Sequence, residues 1–179
     1  MPNGVNDMFF KPMDKDECKT QLGLDLEKKY ILYMDSNAGK RTQKRHDRYL
    51  EVLSKLSAEY NNIVSLELTN TPRDIIPLYM NACDLHLLTS DFEGSPNSVK
   101  ECLCCNTPVV STDVGNVKDM IADIPGCYVD DTFTSECLAK YVSCVISSNH
   151  IFNGRDAFLK KGYSIHDVAL KLKDLYEAI

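Results

Sequence analysis

Two carboxylates eight positions apart, Glu93 and Glu101, bracket the stretch Gly94-Ser95-Pro96-Asn97-Ser98-Val99-Lys100, which follows the apolar run Leu85-His86-Leu87-Leu88. The order reads as strand, tight loop and helix. Ser95 can cap that helix and Pro96 suits its first position, so the free amides of Asn97 and Ser98 would face the space beyond the strand. Such a helix start is an anion site. On a helical wheel Val99, Cys102 and Leu103 share one face and Asn97 and Glu101 lie opposite. Helical side chains lean toward the N-terminus, so Glu101 is expected to reach back toward the same pocket. A second cluster, Lys40, Arg41, Lys44, Arg45 and Arg48, falls within nine residues after the apolar run 30–34, at the start of an expected helix. Cations there oppose the helix dipole, a conflict that a bound anion would relieve. Acceptors for hydroxyls beside donors for an anion suit a phosphorylated sugar.

Each of these groups also has a plainer reading. A charge run is usually a solvated helical face, and that is the expectation for Lys40 and Arg48. Glu93 alone reads as a solvated loop residue, and Glu101 as a partner of Lys100 or of a neighbouring helix. Their joint placement around one strand-loop-helix junction favours the functional reading. His86 reads as a core histidine in a buried strand, while His46, His150 and His166 have no evident partner. In Thr69-Asn70-Thr71-Pro72-Arg73-Asp74, Pro72 and Asp74 read as a turn with Asp74 capping the next helix, and Arg73 stays open.

The elements that must hold these residues alternate apolar runs with amphipathic ones. Strands are expected over 30–34, 63–68, 85–88, 108–111 and 127–129. Helices are expected over 45–60, 77–82, 98–105, 117–121, 135–147, 155–161 and 164–178. Alternation of this kind predicts an α/β fold, a Rossmann-like parallel sheet flanked by helices, with a ligand beyond the carboxyl ends of the strands.

Composition narrows the classes. A chain of 179 residues, 44% hydrophobic, suits one domain with a core of ordinary size. It has no apolar run long enough for a membrane span, and Met1-Pro2-Asn3-Gly4 lacks the pattern of a signal peptide, so a soluble intracellular domain is expected. Six of the eight cysteines sit in apolar or helical contexts, which fits reduced thiols. Cys102, Cys104 and Cys105 have no second ligand pair at zinc-finger spacing, and read as small apolar packing. A formal charge of -6 argues against nonspecific nucleic-acid binding.

The segment NACDLHLLTSDFEGSPNSVKECLCCNTPVVSTDVGNVKD, residues 81–119, resembles the donor-binding core of the family 4 glycosyltransferases, whose hallmark is E-x7-E. The spacing alone is common. The order of strand, E-G-S-P-N, helix, T-P-V-V-S-T and a Gly-containing loop is far more specific. Pro2-Asn3-Gly4-Val5-Asn6, followed by Phe9, Phe10 and Pro12, resembles the P-N-G-V-D segment that joins the two domains of these enzymes, and the likeness runs from Pro2 to Tyr176.

The resemblance implies one half of a two-domain GT-B architecture. Residues 1–14 would be an interdomain linker and residues 15–179 the donor-binding domain, with an acceptor-binding domain outside this chain. It implies catalytic roles for Glu93, Arg41 and Lys44. Arg41 and Lys44 would hold the donor pyrophosphate and stabilise leaving-group charge, with Lys40 or Arg45 able to substitute in either role. Glu93 would contact the donor sugar beside the amides of Gly94 and Ser95. The helix starting near Pro96 would add amides from Asn97, Ser98 and Val99, and Glu101 would accept the ribose hydroxyls. Thr69 and Arg73 would border the nucleobase, and Gly115 would take an unusual backbone angle at the pocket rim.

The implied reaction is retaining hexosyl transfer from a nucleotide-sugar to a glycan or lipid-linked acceptor, in polysaccharide biosynthesis, with no cofactor and no metal. No nucleic-acid partner is implied. The setting implied is cytoplasmic, with the full-length protein able to associate peripherally with the inner membrane. The chain alone would bind nucleotide without turnover. The rivals are a GT-B epimerase or phosphorylase domain and a non-catalytic nucleotide-binding module.

Overall fold

Short apolar runs rich in Leu, Ile and Val form five parallel strands among the described residues: β1 (Lys29–Met34), β2 (Ile63–Leu68), β3 (Leu85–Leu88), β4 (Val109–Thr112) and β5 (Tyr128–Asp130). The computed structural model describes residues 2–35, 41–148 and 151–178. Strands β3 and β4 are buried at every position, as a sheet covered on both faces requires, whereas the edge strand β2 is mostly half-buried. The helices are α1 (Lys15–Gln21), α2 (His46–Ser57), α3 (Ile76–Ala82), α4 (Asn97–Cys104), α5 (Val117–Ile121), α6 (Ser135–Ser147), α7 (Arg155–Leu159) and α8 (Ile165–Glu177). The expected α/β class and Rossmann-like sheet are therefore present.

Because successive strand residues point to opposite faces, β1 feeds two cores. Ile31 and Tyr33, with Leu85, Leu87 and Val110, pack under Tyr49, Val52 and Leu56 of α2 and Leu138, Val142 and Ile146 of α6. Tyr30 and Leu32 face the other way, against Met80 of α3, Val99 and Leu103 of α4, Met120 of α5, Phe158 of α7 and Phe10.

The sheet order is β2-β1-β3-β4-β5. The chain leaves β1 to one side to form β2, then crosses back to form β3 on the other. The connections that follow β1 and β3 thus diverge, and the crevice between them lies at the carboxyl ends of the strands.

Residues 2–14 are bonded to this body. The Val5 amide donates to Tyr163 O at 2.9 Å and the Ile165 amide to Val5 O at 2.8 Å. The Arg155 guanidinium donates to Phe10 O at 2.9 Å and Asp7 O at 2.8 Å, and the Phe10 side chain is fully buried. A Cβ at Gly4 would stand 2.6 Å from Ile165 Cα, so only glycine permits this approach.

Differences from expectation are local. Helix α1 was not foreseen, because only Cys18 and Lys19 are buried and the apolar stripe is too thin to read. Strand β4 starts one residue late, after Pro108, which has no amide to donate. Helix α2 starts at His46 because Arg45 is left-handed (φ 49°, ψ 57°). Six cysteines, Cys18, Cys83, Cys102, Cys104, Cys105 and Cys127, are buried thiols. Among the described residues no helix is long and apolar enough to cross a membrane.

Candidate functional site

The connection after β1 turns through a 3₁₀ segment, Thr42–Lys44, into the left-handed Arg45. It is stitched to the connection after β3. The Thr89 hydroxyl donates between Lys44 O at 2.9 Å and Arg45 O at 3.1 Å, and the Asp91 amide donates to Gln43 O at 2.8 Å. Arg48 reaches across from α2, giving Nη1 to Thr89 O at 2.6 Å and Nη2 to Asp91 Oδ1 at 2.9 Å. The expectation of a solvated Arg48 is thereby corrected: it is 6% exposed, because it stands one turn before Val52 on the buried stripe of α2. Arg45 is held by Asp47 and Asp91, so neighbouring carboxylates already relieve the conflict between these cations and the dipole of α2.

This stitching places Lys44 Nζ 2.6 Å from Glu93 Oε1, the oxygen that also accepts the Ser90 hydroxyl at 2.9 Å. Both side chains are largely buried, at 12% and 18% exposure, so the ion pair works in a medium of lower dielectric than water. The basic cluster and the Glu93 stretch are thus in direct contact. Arg41, the other expected phosphate ligand, is exposed at the start of the 3₁₀ segment, where its carbonyl accepts the Lys44 amide at 2.9 Å. Lys40 and His150 lie outside the described residues.

Helix α4 begins at Asn97, with Pro96 at the cap position and no side chain bonded to the first amides. Two expectations are corrected here: Ser95 does not cap the helix and Pro96 precedes its first turn. The Ser95 hydroxyl instead accepts Lys100 Nζ at 3.2 Å, and the same buried ammonium donates to Asn3 O at 2.9 Å. Pro96 and Val99 are buried, so Val99 can offer a ligand only its amide, while Asn97 is exposed.

Ser98 is set from below by His86, a fully buried residue of β3. His86 Nδ1 lies 3.0 Å from Leu32 O, which can only accept, so this nitrogen carries the proton. Burial holds the ring neutral, with its pKa lowered to about 4. Nε2 is then the acceptor for the Ser98 hydroxyl, 3.0 Å away.

Gly94 and Gly115 meet at the rim. Gly115 has φ 55°, as expected for an unusual backbone angle, and a Cβ on it would fall 2.1 Å from Gly94 O. A Cβ on Gly94 would meet no atom within 4 Å.

Glu101 is brought to the connection after β2. Its carboxylate, 5% exposed, accepts Arg73 Nη2 on Oε1 at 2.7 Å. Burial raises its pKa, and the neighbouring guanidinium opposes that rise. Asp74 is not a helix cap: it sits inside the 3₁₀ segment Arg73–Ile75, which no side chain caps. Thr69 is exposed beside a hollow of about 120 Å³ lined by Met34, Leu68, Asn70, Thr71 and Ile76. His46, expected to lack a partner, lies 2.9 Å from Glu67 through Nε2.

A larger hollow of about 920 Å³ opens at the other edge of the sheet, beside Lys29, Asp84, Pro108 and Tyr128 at the strand starts. Size does not make it the better candidate. Its charged groups are engaged by the chain itself, Lys15 with Asp84 and Lys29 with Ile146 O, whereas Lys44 and Glu93 stand at the crevice where strand direction switches.

Residues 48–165 match the family described as Glycosyl transferases group 1. The chain belongs to that family. As a group 1 glycosyl transferase chain it shares its fold with several solved enzymes at low sequence identity. Sucrose-phosphate synthase from Thermosynechococcus elongatus aligns over 99% of this chain and 51% of its own, with a TM-score of 0.73 and 16% identity. HepE from Anabaena, solved in complex with UDP and glucose, aligns over 99% of this chain and 56% of its own, at TM-score 0.75 and 17% identity. The C-terminal domain of the group 1 glycosyl transferase LpcC from Francisella tularensis is covered over its full length, with 90% of this chain aligned, TM-score 0.75 and 14% identity. This group 1 chain thus spans about half the length of the first two. No curated protein sequence matches it.

Proposed function

We propose that this chain is the donor-binding half of a GT-B glycosyltransferase that takes a sugar from a nucleotide-sugar with retention of configuration. The observation that carries this reading is the largely buried Lys44–Glu93 pair at the β1/β3 crevice, beside the uncapped amides that open α4. In the structure the two charges satisfy each other. A donor pyrophosphate would draw Lys44 and Arg41 to its oxygens, together with the amides of Asn97 and Ser98 and the backbone of Val99. Glu93, released from Lys44, would then accept a hydroxyl of the donor sugar beside the Gly94 and Ser95 amides.

As the glycosidic bond to phosphate breaks, negative charge grows on the departing nucleoside diphosphate. Lys44 and Arg41 would stabilise that charge where it develops, which is how a preorganised cation lowers a barrier. Glu101 would take the ribose hydroxyls, and Thr69 would edge the base. No metal is required in this scheme. The acceptor, a glycan or lipid-linked sugar, would come from the domain outside this chain, so the chain by itself is expected to bind without turnover. The UDP and glucose held by HepE, which shares this fold, support a nucleotide as the ligand class. Isothermal titration of the chain with UDP, GDP and ADP tests the reading, and absence of binding by all three would overturn it.

A further inference from the structure

We propose that Arg73 is a positioning residue for the ribose, holding Glu101 ionised and aimed, and that Phe10 of the N-terminal segment fixes Arg73 in that role. The inference rests on the reading that Glu101 receives the ribose diol.

A carboxylate buried to 5% exposure is costly to keep charged unless a cation stands beside it. Arg73 supplies that cation at 2.7 Å. The other nearby ammonium, Lys100 on the same helix, is directed elsewhere, onto Asn3 O and Ser95 Oγ. The thiols of Cys102 and Cys104 on this helix, and of Cys105 just after it, are held neutral by burial. Arg73 is therefore the cation bonded to this acceptor, and Lys100 acts on it through its charge alone.

The contact is also directional. Arg73 occupies Oε1, and among the described residues no donor reaches Oε2. A ribose diol approaching the crevice would meet an ionised oxygen whose partner is already locked, a geometry that favours two neighbouring hydroxyls over a neutral or rotating acid. Arg73 is itself 64% exposed, so packing of its stem does not fix it. Its guanidinium carbon instead lies 5.0 Å from the centre of the Phe10 ring, within cation–π range. Phe10 is fully buried in the segment that Arg155 and Lys100 bind to the body, so in the folded chain the platform beneath Arg73 is anchored. The ribose acceptor is thus set jointly by the connection after β2 and by the N-terminal segment.

The test compares the chain with its R73A variant by calorimetry. The ligands are whichever of UDP, GDP or ADP binds best, and the 2′,3′-dideoxy form of the same nucleotide. Because Arg73 is exposed, the fold should survive, and a thermal melt checks that. R73A is expected to weaken the ribonucleotide about tenfold or more, and the dideoxy form by less than about twofold. Equal weakening of both would overturn the proposal, since Arg73 would then act on base or phosphate, and so would no weakening of either. Failure of the unaltered chain to bind any of the three diphosphates is a different outcome, which overturns the proposed function and this inference with it.

Discussion

Lys44 Nζ and Glu93 Oε1 meet at 2.6 Å across the crevice between β1 and β3, two residues that the sequence places forty-nine positions apart. Neither residue is left to find the other by chance. Thr89, Asp91 and Arg48 fasten the two connections together, so the pair is a consequence of how the loops are joined.

Opposite substitutions in this pair should have opposite effects on nucleoside diphosphate. Lys44→Ala removes a charge-assisted phosphate contact and should weaken binding about tenfold to a hundredfold. Glu93→Gln frees Lys44 from its carboxylate and should leave binding of the diphosphate unchanged or several-fold tighter, while weakening the nucleotide-sugar relative to it. Titration of both variants with both ligands decides this. If Glu93→Gln weakened the diphosphate as much as Lys44→Ala did, the pair would be shaping the loop rather than exchanging partners.

The two rim glycines should separate stability from binding. At Gly115 the backbone has φ 55° and a Cβ would fall 2.1 Å from Gly94 O, so Gly115→Ala must move the loop and is expected to cost about 2 kcal/mol or more. At Gly94 a Cβ meets nothing within 4 Å. Gly94→Ala should therefore hold stability within about 0.5 kcal/mol yet obstruct close approach of a ligand to the backbone. Urea titration and calorimetry on the two variants check the contrast, and equal destabilisation would refute it.

His86 should make stability fall on the acid side. Its pKa is lowered from 6.5 to about 4 by burial, so between those values the unfolded chain binds a proton that the folded chain refuses. Stability is then fully present above the unfolded value and is lost as pH falls toward the folded one, by about 2 kcal/mol near pH 4.5. Urea titrations near pH 7 and pH 4.5, comparing the chain with His86→Gln, isolate this residue from the carboxylates. Parallel profiles would show that the ring does not titrate this way.

The sheet was readable because its strands are short apolar runs separated by amphipathic ones, and α5 and α6 fall at their expected bounds, Val117–Ile121 and Ser135–Ser147. The strand, loop and helix expected around Glu93 and Glu101 are likewise present, as β3 and α4. What the sequence concealed were partners far apart along the chain. Arg48 looked like one more surface cation, although its position a turn ahead of Val52 and Leu56 carried the signal that it was buried. Lys100 offered no such cue, since its place depends on Asn3 arriving beside α4. Glu101 was assigned Lys100 or a neighbouring helix as its plainer partner. The partner is Arg73, from a turn that local rules could describe only as a turn.

The bridge from Val5 to Ser164 joins residues from nearly opposite ends of the chain. Closing so long a loop costs entropy before any contact offsets it, which places this step late in folding, after the local βα units have formed. The amides of Val5 and Ile165, each bonded across the junction, should accordingly exchange with deuterium as one cooperative unit, earlier than those of β3 or β4. The strap that steadies Phe10 under Arg73 would then be the last part of the molecule to assemble and the first to let go.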